Sequence, residues 1–167
     1  MPISMHAASV PIYVRMLGNM LAWLDKAEAH AAARKFDPNN FVGMRLTPDM
    51  LPFARQIQIA SDACKGAVAR LAGVEPPKWA DDEATLGELR ARIHKTIEYA
   101  QSIPASQFDG SETREIALPV PGAPRVSGEV FLKSFSLPNF FFHVTMTYAL
   151  LRQGGVELGK RDYLGAP

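Results

Sequence analysis

The side chain best placed to do chemistry is His143, which follows Phe140-Phe141-Phe142 near the end of the chain. Residues Phe140, Val144, Thr147 and Leu151 share one face of a helical segment, with Leu150 beside them. At about 100° per residue, His143 falls beside that face, about 40° from Thr147. An imidazole there is either a core histidine held by a backbone carbonyl or another side chain, or a ligand or acid–base group turned into the interior. An unpaired buried polar group costs about 1–3 kcal/mol, so the ring must have a partner. Thr147, four residues on, projects from the same face as His143. A metal-binding bundle would use that position for a second ligand, and a threonine hydroxyl is a poor one for a first-row transition metal.

The second helical segment offers two further polar candidates. Gln56 sits at the edge of the stripe formed by Met50, Phe53, Ile57, Ala60, Cys64, Ala67 and Leu71, from where it can turn inward. Gln58 and Asp62 share a face nearly opposite that stripe. Asp62 is then a solvated or interface acid, or, with the helix buried on two sides, a carboxylate that needs a partner. Of the remaining histidines, His6 lies near a terminus, His30 falls among Lys26 and Arg34, and His94 can reach Glu98 one turn away. Cys64 lies in the apolar stripe and reads as a buried, unactivated thiol. No Gly-rich phosphate loop, CxxC pair or HExxH motif occurs.

The elements that must position these groups are four long helices. The first spans Val10 to Arg34, where Val10, Leu17, Leu24 and Ala31 recur every seven residues, and Asp37-Pro38-Asn39-Asn40 ends it. Thr47-Pro48-Asp49 reads as the opening of the second, with a hydroxyl cap, a proline in the first turn and an acid at the positive dipole end. Gly73 ends the second helix. Thr85 and Glu88 form a capping box for the third, which Pro104 closes. Alternation in Ile116, Leu118 and Val120, the turn Pro121-Gly122-Ala123-Pro124 and an extended run from Val126 to Phe135 predict a small hairpin or ordered crossover. The last helix begins near Leu137-Pro138 and stops at Gly154-Gly155. The expected fold is an all-α four-helix bundle in a single domain over residues 1–167. The long link before the last helix permits a crossover, and the charged segment Glu157 to Leu164 docks back on the bundle or onto a partner.

Composition narrows the function classes. The 167 residues are 47% apolar and 21% charged, ordinary for a globular chain and wrong for disorder. Lys and Arg number 18 against 17 Asp and Glu, which gives no basic excess for nucleic acid to bind. No stretch approaches the roughly 18 apolar residues of a membrane span, and the start does not read as a signal peptide, so the expected location is cytoplasmic.

Several segments together resemble a known group. Ala27-Glu28-Ala29-His30-Ala31 with Arg34, Leu46-Thr47-Pro48-Asp49-Met50, and Arg55-Gln56-Ile57-Gln58-Ile59-Ala60 with Asp62 are similar to an uncharacterised bacterial family. So are Pro138-Asn139-Phe140-Phe141-Phe142-His143 with Tyr148, and Gly155 to Leu164. That family, a domain of unknown function, is placed in the DinB/YfiT-like superfamily of metalloenzymes. The resemblance implies a four-helix bundle, often a homodimer, holding a divalent metal such as zinc, nickel or iron. It implies three histidine ligands, one from the second helix and two spaced by four on the last. Some such relatives are transferases or isomerases that use low-molecular-weight thiols. Here His143 matches the first histidine of the pair, Thr147 stands at the second, and Gln56 or Asp62 would substitute on the second helix.

Two functions follow from that partial match. One is a bundle with a degenerate metal site and a small-molecule-binding or dimerisation role. The other is a divalent-metal-dependent, thiol-dependent transferase-like enzyme acting through His143. Self-association would explain apolar residues on two sides of the first and last helices, namely Met16, Trp23 and Phe141.

Overall fold

Four long helices carry the apolar stripes: α1 (Val10–Arg34), α2 (Phe53–Ala72), α3 (Leu86–Ser102) and α5 (Leu137–Gln153). The structure is a computed structural model that describes residues 3–165. Strands β1 (Glu115–Ala117) and β2 (Arg125–Ser127) form an antiparallel hairpin with Ile116 opposite Val126. A single turn, α4 (Gly128–Val130), leads into a π-helical turn over Phe131–Ser136 and then α5, and α6 (Lys160–Leu164) follows. The fold is thus mostly helical with one small hairpin.

Helix α2 packs on both α3 and α5, and α1 packs on α3 and α5. Consecutive helices α1 and α2 are therefore diagonal rather than adjacent. Helices α3 and α5 are diagonal in the same way, so the long link before the last helix crosses the bundle as the sequence allows, and the first link crosses it as well. Phe41, from a short 3-10 turn in that link, plugs the core.

Most helix boundaries follow from local chemistry. Thr85 Oγ1 accepts from the Glu88 backbone N–H while the Glu88 carboxylate accepts from the Thr85 N–H, which is the expected capping box. Gly73 ends α2 with φ of 76°, a left-handed conformation natural to glycine.

Helix α2 does not open at Thr47. Thr47-Pro48-Asp49-Met50 closes on itself as a turn, with the Met50 N–H on the Thr47 carbonyl and the Thr47 hydroxyl on Asp49. Pro52 lies only a few residues on, and a proline disfavours helical geometry in the residue before it, so the helix starts at Phe53. Its first donors are satisfied by backbone, Phe53 N–H to Met44 and Ala54 N–H to Val42.

The extended run expected from Val126 to Phe135 is corrected as well. Only Arg125–Ser127 is strand, and helical backbone begins at Gly128. Phe131, Leu132 and Ser136 are buried, a spacing of one and four that belongs to a helix. Ser127 caps the turn through the Val130 N–H, and Glu129 pairs with Lys133 one turn on. Any Cβ at Gly128 would collide with the Ser111 carbonyl, so glycine is required where this turn meets the preceding loop. The π turn sits directly before Pro138, whose missing N–H already removes one rung of the helical ladder.

The C-terminal segment docks back on its own bundle. In α6 the Asp162 carbonyl accepts from Trp23 Nε1 at 3.0 Å, the Tyr163 carbonyl accepts from Asn19, and the Tyr163 ring stacks on Trp23. Met16 and Trp23 are thereby buried within one chain, and Phe141 is packed against the same core. The second apolar face of α1 thus needs no second copy to cover it.

Candidate functional site

His143 and Gln56 come together from α5 and α2. His143 Nδ1 lies 2.7 Å from Gln56 Oε1, and Gln56 Nε2 donates to the Leu51 carbonyl at 2.9 Å. This pattern assigns the protons. The Gln56 amide nitrogen is committed to a carbonyl, so its oxygen must accept, and His143 Nδ1 must carry the hydrogen. The imidazole is then the neutral Nδ1–H tautomer, whose Nε2 lone pair has no protein partner among the described residues. Gln56 is 1% exposed and His143 8%. Burial first, then the positive charge of Arg55, pushes the His143 pKa below the ordinary histidine value.

Thr147 is also buried, and its hydroxyl donates to the His143 carbonyl at 2.9 Å, one turn back on the same helix. Its proton is spent on helix backbone.

Asp62 is not brought to His143. It stands six residues past Gln56, about 120° around α2, and faces α3. Its carboxylate pairs with Arg92 at 2.8 Å and with Lys65 at 2.7 Å. Arg92, whose side chain is 2% exposed, also pairs with Asp81 and Glu83 and donates to the Ala80 carbonyl. Gln58, expected on a face opposite the apolar stripe, is instead buried and donates to Glu83, while Arg55 bridges Gln58 and Asp81. Helix α2 is buried on two sides, and this network ties the 73–85 loop to α2 and α3. Arg92 escaped the sequence reading although the signal was there: it is three residues past Leu89 and next to Ile93, inside the stripe of its helix.

The other histidines stand apart. The His6 ring meets the edge of Phe108, His30 lies between Phe36 and Phe41, and His94 is exposed. Cys64 is fully buried and its thiol pKa is driven up by desolvation, as expected of an unactivated thiol. Among the described residues no three His, Cys, Asp or Glu side chains gather where one ion could touch them all.

A second feature runs beside α2. An open groove of about 1050 Å³ lies between α2, the 73–79 loop, the hairpin and the π turn. Ile59, Ala63, Phe131 and Phe135 give it apolar walls, and Trp79 closes one side. Lys65 and Lys95 sit over the Trp79 ring at 4.7 and 4.4 Å from its centre, which fixes the indole in place. Asn139, one turn before His143, reaches the same groove.

The comparisons with known proteins agree with this architecture. A family model described as a domain of unknown function, DUF1993, matches residues 5–164. Among solved structures, a DinB family member protein from Shewanella denitrificans is 39% identical, over 97% of this chain and 92% of that chain, with a TM-score of 0.92. No curated protein matches. No helix among the described residues is long and apolar enough to cross a membrane.

Proposed function

The chain belongs to the DUF1993 family of DinB-like bundles, and from that premise we propose that it is a metal-independent small-molecule-binding protein. In this reading the superfamily's metal position has become a hydrogen-bonded histidine–glutamine lock. The observation that carries the reading is the commitment of both ends of the Gln56 amide, whose oxygen accepts from His143 Nδ1–H and whose nitrogen donates to the Leu51 carbonyl, so that Gln56 is spent as a metal ligand. A resident divalent ion does not fit this donor set. His143 Nε2 is a single nitrogen, the Thr147 hydroxyl is turned to backbone, and Asp62 serves Arg92 and Lys65. Transition-metal sites in proteins need about three protein ligands or more, from nitrogen, sulfur or carboxylate.

The groove supplies the binding half of the proposal. It is large enough for a small molecule and combines apolar walls with a few polar groups, the usual make-up of such sites. A fragment screen followed by amide NMR tests it. Shifts should gather at Ile59, Gly66, Phe135 and Asn139; a screen in which no fragment perturbs those amides contradicts it.

One feature favours the alternative, a divalent-metal-dependent enzyme of the thiol-dependent transferase kind. His143 Nε2 has no partner among the described residues, on a residue that keeps 8% of its surface exposed. That reading requires metal binding that vanishes in His143→Ala. The homodimer belongs to the proposal too, supported by Phe142, 53% exposed beside His143, and by exposed Leu51. A sizing-column elution volume matching the monomer would remove it.

A further inference from the structure

We propose that the groove along α2 is a carboxylate site, with Arg70 as the anion-binding group and the apolar walls holding the rest of an amphipathic acid. This rests on the groove being the binding site, and names the class of molecule it takes.

The argument begins with charge. Five basic side chains and three acidic ones line the groove. Lys65 is matched by Asp62 at 2.7 Å, and Arg125 by Glu115 at 3.5 Å. That leaves Arg70, Arg114 and Lys78 against Glu75, a positive excess in a cleft with apolar walls. Arg114 is tied to the Leu71 carbonyl, where it satisfies the end of α2. Lys78 is exposed on the loop.

Arg70 is different. It is partly buried, yet among the described residues its guanidinium makes no hydrogen bond or ion pair, and Glu75 acts on it only at a distance. Burial without a partner costs a guanidinium its hydration and returns nothing, which is the condition an incoming anion relieves. Gly66 makes the placement possible. A Cβ at Gly66 would stand 2.5 Å from Arg70 Nη1, so the absent side chain is what lets the guanidinium fold back along the helix into the groove.

The apolar walls and the Trp79 indole exclude a bare inorganic anion as the best occupant. A guanidinium pairs with a carboxylate through two parallel hydrogen bonds, and one negative charge matches one unpaired arginine without overloading a site that also holds Glu75. An acid with an aliphatic or aromatic body satisfies both halves of the groove.

Isothermal calorimetry on the full chain with octanoate, octanol and octyl phosphate tests this at pH 7.5. Octanoate should bind saturably and in preference to octanol. Arg70→Gln should weaken octanoate by at least about tenfold, in line with a lost charge-assisted pair, and leave the circular dichroism melt cooperative. Gly66→Ala keeps every charge but pushes the guanidinium aside, and should weaken octanoate as well. Octanol bound as tightly as octanoate overturns the carboxylate assignment and leaves groove binding standing. So does octyl phosphate bound while octanoate is not. Equal octanoate affinity in Arg70→Gln and wild type overturns the role of Arg70, and no binding of any of the three overturns the proposal.

Discussion

Replacing Gln56 by leucine isolates the lock between α2 and α5. The substitution removes two hydrogen bonds, one to the Leu51 carbonyl and one from His143 Nδ1. The carbonyl belongs to an exposed residue and can take water instead. The imidazole N–H, on a residue only 8% exposed, cannot do so freely, and a stranded buried donor costs about 1–3 kcal/mol. Extra apolar contact from leucine returns about 1 kcal/mol, so Gln56→Leu should cost about 1–2 kcal/mol. His143→Phe strands the Gln56 oxygen in the same way. The double variant leaves nothing stranded and should cost less than the sum of the two by about 1–2 kcal/mol. Urea unfolding followed by circular dichroism at pH 7.5 measures all four proteins. Single-variant costs that add within about 0.5 kcal/mol would show that the two side chains are not coupled.

Three other outcomes follow from the same geometry. Because the folded-state pKa of His143 lies below its unfolded value, the unfolded chain binds the extra proton first. Stability should be flat at alkaline pH and fall as pH drops through about 6.5; His143→Phe should flatten that fall, as pH-dependent unfolding would show. Arg92→Met leaves Asp62 with Lys65, Asp81 with Arg55 and Glu83 with only the Gln58 amide, around an apolar chain. With two of those carboxylates partly solvated, the expected loss is about 2–3 kcal/mol by urea unfolding, whereas Lys26→Ala, which opens a solvent-facing pair with Asp162 and a long hydrogen bond to the Glu157 carbonyl, should cost under about 1 kcal/mol. Ending the chain at Gly159 removes α6 from Trp23, which is 1% exposed in the native chain, and should shift tryptophan emission to the red.

What was legible in the sequence were features written in short range. The seven-residue recurrence of α1, the capping box at Thr85 and the glycine at the end of α2 each specify their own geometry. The inward turn of His143 was legible from helical spacing. Its partner was not, because Gln56 lies 87 residues away on another helix and only the packing of α2 on α5 makes them neighbours. Asp62 was open between two readings for the same reason: its place depended on whether the 73–85 loop folded over α2, which Arg92 decides from a third helix. The start of α2 misled because Thr47-Pro48-Asp49 has the chemistry of a cap, and Pro52 a few residues later outweighs it. The helical turn at Gly128 was missed although Glu129 and Lys133 mark it, since the alternation of the hairpin ran straight into it.

Metal content decides most directly whether the His143–Gln56 pair has replaced a metal centre. Untagged protein, purified without chelators and then exposed to zinc, nickel and iron in turn, should retain none near stoichiometry by elemental analysis after desalting. Near-stoichiometric retention of any of the three, lost in His143→Ala, would contradict the account and make the DinB-type metal centre the working site of this chain.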